Sequence, residues 1–262
     1  MATDRFVTIP THPGNVEADQ HDAYHFHPLM RGGHFAAFNQ GSMFQKRSGA
    51  RIGGPFYYNA SQWTTVEGGT SDARAAAVTE GGGLLVTFPS DDDFDMTSDD
   101  AIAILGAGLS GKVLAMRALF QISHATQLGF KMGLTPGSGA QALPFGTNYT
   151  DVIALSKPIA SAAMVGTVRG NSGTAADTGT LATIVAATEI DIGFYAMCHA
   201  TAPKGAWCVN GVVTPFTGAQ LAQLTAVLTS PPTNMYWTFH GTGTTGNTPT
   251  LLMKSWATEY DI

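Results

Sequence analysis

Apolar residues recur at every second position in several stretches of the chain, with polar residues between them. In Lys112–Ser123, Leu114, Met116, Ala118, Phe120 and Ile122 share one parity, and Arg117 and Gln121 fall on the other. In Glu189–Cys198, Ile190, Ile192, Phe194, Ala196 and Cys198 alternate with Glu189, Asp191, Tyr195 and Met197. Met235, Trp237 and Phe239 repeat the pattern, and Leu252, Trp256 and Tyr260 share a parity near the C-terminus. A period of two belongs to a strand with one face against a second layer, because successive Cβ atoms point to opposite sides of a sheet. Asn210-Gly211, between Trp207-Cys208-Val209 and Val212-Val213, predicts a two-residue hairpin turn, since both central positions need φ > 0. Loops rich in Gly, Pro, Thr and Asn space these segments. The pattern predicts an all-β antiparallel sandwich over residues 55–262, with one short helix within Phe216–Leu228.

Residues 1–54 have a different texture. They hold five of the eight His (His12, His21, His25, His27 and His34), and no period of 2 or 3.6 persists in them. This segment reads as an extended N-terminal arm that cannot bury a face of its own. Phe26, Leu29, Met30, Phe35 and Phe38 are its apolar pegs. At roughly 1.5–3 kcal/mol per fully buried large side chain, a few such pegs on a neighbouring subunit would offset the cost of ordering the arm. Lys46, Arg47 and Arg51 form its basic cluster. So few charges would hold phosphates weakly and lose them in salt, so a salt-bridged protein contact is the expected use.

Composition narrows the function. Charged residues make up 12% of the chain and hydrophobic ones 44%, which excludes wholesale disorder. Five Glu and 13 Lys plus Arg are too few for a bundle of solvated helices. A net charge of −6 argues against direct nucleic-acid binding. The start, MATDRFVTIP, lacks a basic segment followed by an apolar one. The most apolar stretch, Ile159–Val168, is half the ~20 residues of a membrane span. The expectation is a soluble protein with no membrane partner. Cys198 and Cys208 are the only cysteines, too few for a disulfide scaffold and suited to a reducing cytoplasm. They flank Ala202-Pro203-Lys204-Gly205 and are expected to face one another across a hairpin as buried free thiols.

Candidate chemistry is sparse. Asp91, Asp92, Asp93, Asp95, Asp99 and Asp100 offer the oxygens a calcium ion needs, but without EF-hand spacing they read as a solvated acidic loop. His21, His25 and His27, with Asp22 and His34, are zinc-ligand types in a segment without regular geometry, so no metal is expected there. No phosphate-binding loop, dinucleotide fingerprint or nucleophile elbow occurs. Glu189-Ile190-Asp191-Ile192-Gly193 resembles the E-x-D-x-E strand motif of laminarinase- and lichenase-type glucanases, which share a lectin-like sandwich. Retaining glycosidases need two carboxyl groups about 5–5.5 Å apart. Gly193 stands where the acid/base carboxylate belongs, so no catalytic residue and no cofactor are expected. Tyr195, Trp207 and Tyr236 could stack on sugar rings, although each reads more simply as core.

Asp92-Asp93-Phe94, VLAMRALFQIS (113–123), LGFKMGL (128–134), IGFY (192–195) and Val209-Asn210-Gly211-Val212 resemble, in the same order, a group of tailed-phage head proteins. The likeness runs in pattern from Phe56 to Tyr260. It implies a concanavalin- or laminin-G-like jelly roll, a lectin-like β-sandwich. The role it implies is a non-enzymatic capsid decoration (cement) protein, self-associated as a trimer on the outer surface of the virion and clamping major capsid subunits. Such a protein is made in the host cytoplasm. A carbohydrate-binding, receptor-recognising virion module is the alternative the same fold allows. The family offers no catalytic residues, and the arm lies outside the shared pattern.

Overall fold

In the computed structural model, residues 63–68, 76–79, 83–89, 93–98, 112–136, 151–171, 174–198, 202–229, 235–244 and 246–260 are described. All eight arm residues named above as contacts fall outside them. The strands are β1 (Trp63–Gly68), β2 (Ala76–Thr79), β3 (Gly83–Thr87), β4 (Asp93–Ser98), β5 (Lys112–Ile122), β6 (Leu128–Thr135), β7 (Val152–Lys157), β8 (Ala163–Arg169), β9 (Ala176–Asp177) and β10 (Ala182–Thr183). They continue as β11 (Glu189–Cys198), β12 (Lys204–Val209), β13 (Val212–Pro215), β14 (Tyr236–Gly243) and β15 (Thr250–Tyr260), with a helix α1 (Gly218–Thr229) between β13 and β14. Every strand pairing is antiparallel. One sheet runs β1-β4-β14-β6-β7-β8-β10, with β9 also on β8; the other runs β13-β12-β11-β5-β15-β3-β2. This is the lectin-like sandwich. No helix among the described residues is long and apolar enough to cross a membrane.

The alternation places the core as expected along β5, β11 and β14. Leu114, Met116, Ala118, Phe120, Ile122, Ile190, Ile192, Phe194 and Ala196 are fully buried between the sheets, as are Met235, Trp237 and Phe239. Phe120 meets Phe130 edge to face across the sandwich at 4.9 Å, and Phe194 meets Trp237 at 6.0 Å. The Asn210-Gly211 hairpin forms with φ of 51° and 80°. Asn210 also reaches back to β11: its N–H donates to Asp191 O (2.7 Å), and its side-chain oxygen accepts from Asp191 N–H (2.9 Å).

Two expectations are corrected. In β15 the core takes Leu251, Met253 and Trp256, while Leu252 is half-buried. The register against β5 shifts between Met253 and Ser255, so one extra residue inverts the parity midway along the strand. The two cysteines are not cross-strand neighbours either. Register sets Cys208 opposite Gly193, five residues along β11 from Cys198, a separation of about 16 Å at strand rise. Cys208 is a buried free thiol, and burial pushes it up to about 11.

The helix starts at a reciprocal capping box. Thr217 Oγ1 accepts from Gln220 N–H (3.2 Å), and Gln220 Oε1 accepts from Thr217 N–H (3.0 Å). Gln220 is buried and also ties three elements: it accepts from Trp207 Nε1 (3.3 Å) and donates to Gly166 O and Ala176 O. The helix thereby closes the β8–β9 margin of the sandwich.

Candidate functional site: a polar sheet face

Four polar side chains stand side by side across the first sheet. Register pairs Asp95 on β4 with His240 on β14, His240 with Lys131 on β6, and Lys131 with Ser156 on β7. Their chain neighbours Phe94, Met96, Phe239, Phe130, Met132 and Leu155 fill the core, so alternation sends these four to the opposite face. All four are only 2–8% exposed. His240 Nδ1 lies 2.7 Å from Asp95 Oδ1, and since a carboxylate can only accept, the ring donates this proton. Burial pushes the Lys131 ammonium down to about 7. Ser156 is two strands from His240, about 9–10 Å at sheet spacing, so Ser, His and Asp form no nucleophilic relay here.

The same face continues on either side. In the next row Thr97 pairs with Thr238, and Thr167 follows on β8 beyond Gly133 and Ala154; Thr135 lies beside them, its hydroxyl 3.2 Å from that of Thr238. At the ends of the face stand half-buried side chains: Asp93 and Thr242, paired across β4 and β14, and Tyr236, opposite Thr135. Carboxylate, imidazole, amine and several hydroxyls thus share one face of the sheet, nearly all of them buried, with an aromatic ring at its edge.

The second sheet carries the segment with the glucanase-like spacing. Glu189 and Asp191 share the face of β11 away from the core, as the period required. Each is already held by a cation. Arg117 Nε donates to Asp191 Oδ1 (2.8 Å) and its Nη2 to Oδ2, and Lys254 pairs with Glu189. Gly193 is flanked across the strands by Arg117 and Cys208 rather than by a carboxylate.

Of the three aromatic candidates, Trp207 is core and Tyr195 is buried; only Tyr236 borders the polar face. Asp93 and Asp95 lie on a paired strand rather than in a solvated loop, and Asp95 is buried; Asp91, Asp92, Asp99 and Asp100 lie outside the described residues, as do His21, Asp22, His25, His27 and His34. Among the described residues no group of three or more His, Cys, Asp or Glu could hold a metal ion. Sequence reasoning missed the row Asp95–His240–Lys131–Ser156. Alternation alone assigns each residue to the outer face of its strand, but which strands are neighbours is set by pairing between segments up to 145 residues apart.

No family model matches the sequence, and no curated protein does. Solved structures do match. The winged bean acidic lectin complexed with methyl-α-D-galactose superposes with a TM-score of 0.54 at 11% identity, over 81% of this chain and 98% of the lectin. Peanut lectin with a nine-residue peptide gives 0.53 at 9% identity, over 81% and 98%. The metal-free carbohydrate recognition domain of Emp46p gives 0.52 at 9% identity, over 77% and 89%. At such identities the likeness is one of fold: the chain has the β-sandwich that these lectins share.

Proposed function

We propose that the protein is a non-enzymatic recognition module that binds carbohydrate through the polar face of the β4-β14-β6-β7 sheet. The observation that carries this is the row Asp95–His240–Lys131–Ser156, set in a face that a purely structural sandwich would make apolar or leave to water. Buried titratable groups cost stability, and perturbed ones concentrate at functional sites. The lectin neighbours supply the fold precedent. Tyr236, half-buried at the rim, offers a ring face to a sugar, while Asp93 and Thr242 offer acceptors at the other end. Titration calorimetry against a panel of neutral oligosaccharides should find at least one ligand, and Tyr236→Ala should weaken it by about tenfold. Binding untouched by Tyr236→Ala would remove this face from consideration.

A virion setting is the second part of the proposal and rests on the resemblance to phage head proteins. Of the segments that carry it, four fall on β5, β6, β11 and the β12–β13 hairpin, and Asp93-Phe94 opens β4. On that reading the protein sits on the outer capsid as a trimer, with residues 1–54 strapped onto the major capsid protein through Phe26, Leu29, Met30, Phe35, Phe38, Lys46, Arg47 and Arg51. Deleting residues 1–54 should abolish add-back to undecorated shells. Equal occupancy with and without the arm would assign the contact to the sandwich.

A further inference from the structure

Lys157, at the end of β7, is completely buried, and its ammonium is spent on backbone carbonyls. It donates to Ala125 O at 2.5 Å, to Ser161 O at 2.8 Å and to Pro158 O at 3.1 Å. An ammonium has three donors and no acceptor, so these three bonds complete its shell. The carbonyls come from two different turns. Ala125 lies between β5 and β6; Pro158 and Ser161 lie between β7 and β8. One backbone bond, Ala160 N–H to Thr126 O (2.8 Å), also joins the two turns. Ala160 sits in the left-handed region at φ 62°, and Ser161 Oγ accepts from Ala163 N–H (3.0 Å), which fixes the turn that presents two of the three oxygens. Convergent carbonyl oxygens at this range are what a bare monovalent cation takes up in place of its hydration shell.

We infer that Lys157 is a tethered cation: its head group fills a carbonyl nest that would otherwise select an ammonium or potassium-sized ion, and so locks the β5–β6 and β7–β8 turns to one another without a metal. The stem reaches this position because register sets Lys157 opposite Phe130, at the margin of the core. Burial lowers its pKa to about 8, so the charge is present through neutral pH. Lys157 is a positioning residue for this end of the sandwich, independent of what the polar face binds.

Truncating the side chain should leave the nest empty and open to a small primary alkylammonium of matching length. Lys157→Ala is expected to melt about 5–10 °C below the wild type, and about half of that loss should return in propylammonium chloride. Tetramethylammonium chloride at equal ionic strength has no N–H to donate and should restore nothing. If the variant does not fold, refolding yield in the two salts reads the same difference. Lys157→Met keeps the stem and removes the donors; its Ala160 amide should exchange with solvent faster than in the wild type. Equal behaviour in the two salts would overturn the inference, as would a methionine variant with wild-type melting and Ala160 protection.

Discussion

Replacing Lys131 by methionine should stabilise the protein, by roughly 2–4 kcal/mol at pH 6 or about 5–10 °C in melting temperature. Its folded-state pKa of about 7 lies below the unfolded value of 10.5, with desolvation by burial as the cause. The unfolded chain therefore binds the proton more tightly than the folded one across that interval. The resulting penalty is fully present below pH 7, falls as pH rises, and is gone above the unfolded value. The advantage of Lys131→Met should accordingly shrink between pH 7 and 10.5. Lys157 contributes a pH dependence of the same sign, because burial also lowers its pKa, so the informative quantity is the difference between variant and wild type. Chemical denaturation at pH 6 and pH 10 measures it. A variant less stable at both pH values would mean that the amine is a structural strut rather than a group kept at a cost.

The largest loss is expected at Trp207. Its side chain is fully buried, 5.9 Å from Phe194 and 4.6 Å from Phe216, and its Nε1–H reaches Gln220. The ring packs against Gly166 of the opposite sheet; a Cβ there would come within 2.5 Å of it. Trp207→Ala opens a cavity at the junction of both sheets and α1 and should cost about 3–5 kcal/mol, or 10–15 °C. Urea midpoints at unchanged slope check it. Gly166→Ala should reproduce part of the effect by forcing the same ring to move. A loss below about 1 kcal/mol for Trp207→Ala would contradict a core role and return the indole to the list of sugar-stacking surfaces.

The sandwich was legible because its central strands bury one face each and so write a period of two into the sequence. β5 and β11 could be read residue by residue, and the Asn210-Gly211 turn followed from the φ its two positions require. The C-terminal strand was misread for a local reason: the bulge near Lys254 changes parity without leaving a mark in composition. Thr217-x-x-Gln220 is a capping-box spacing that could have set the start of the helix at Gly218. The polar row was not legible. Asp95 sits in an acidic run that reads as a solvated loop, and nothing in the sequence singles out His240 or Lys131; only the order β4-β14-β6-β7 brings them together. The glucanase-like pair was visible, but its neutralisation by Arg117 and Lys254 depends on β5 lying beside β11 and β15 beside β5.

The central claim is that the β4-β14-β6-β7 face, and not the β11 carboxylates, meets the ligand. Amide chemical-shift mapping of isotope-labelled protein, titrated with the tightest-binding oligosaccharide of the panel, tests it most directly. Shifts should concentrate at Asp93, Tyr236, Thr238 and Thr242 and spread to His240 and Lys131. Shifts confined to Glu189, Asp191 and Lys254, or none with any saccharide, would contradict it.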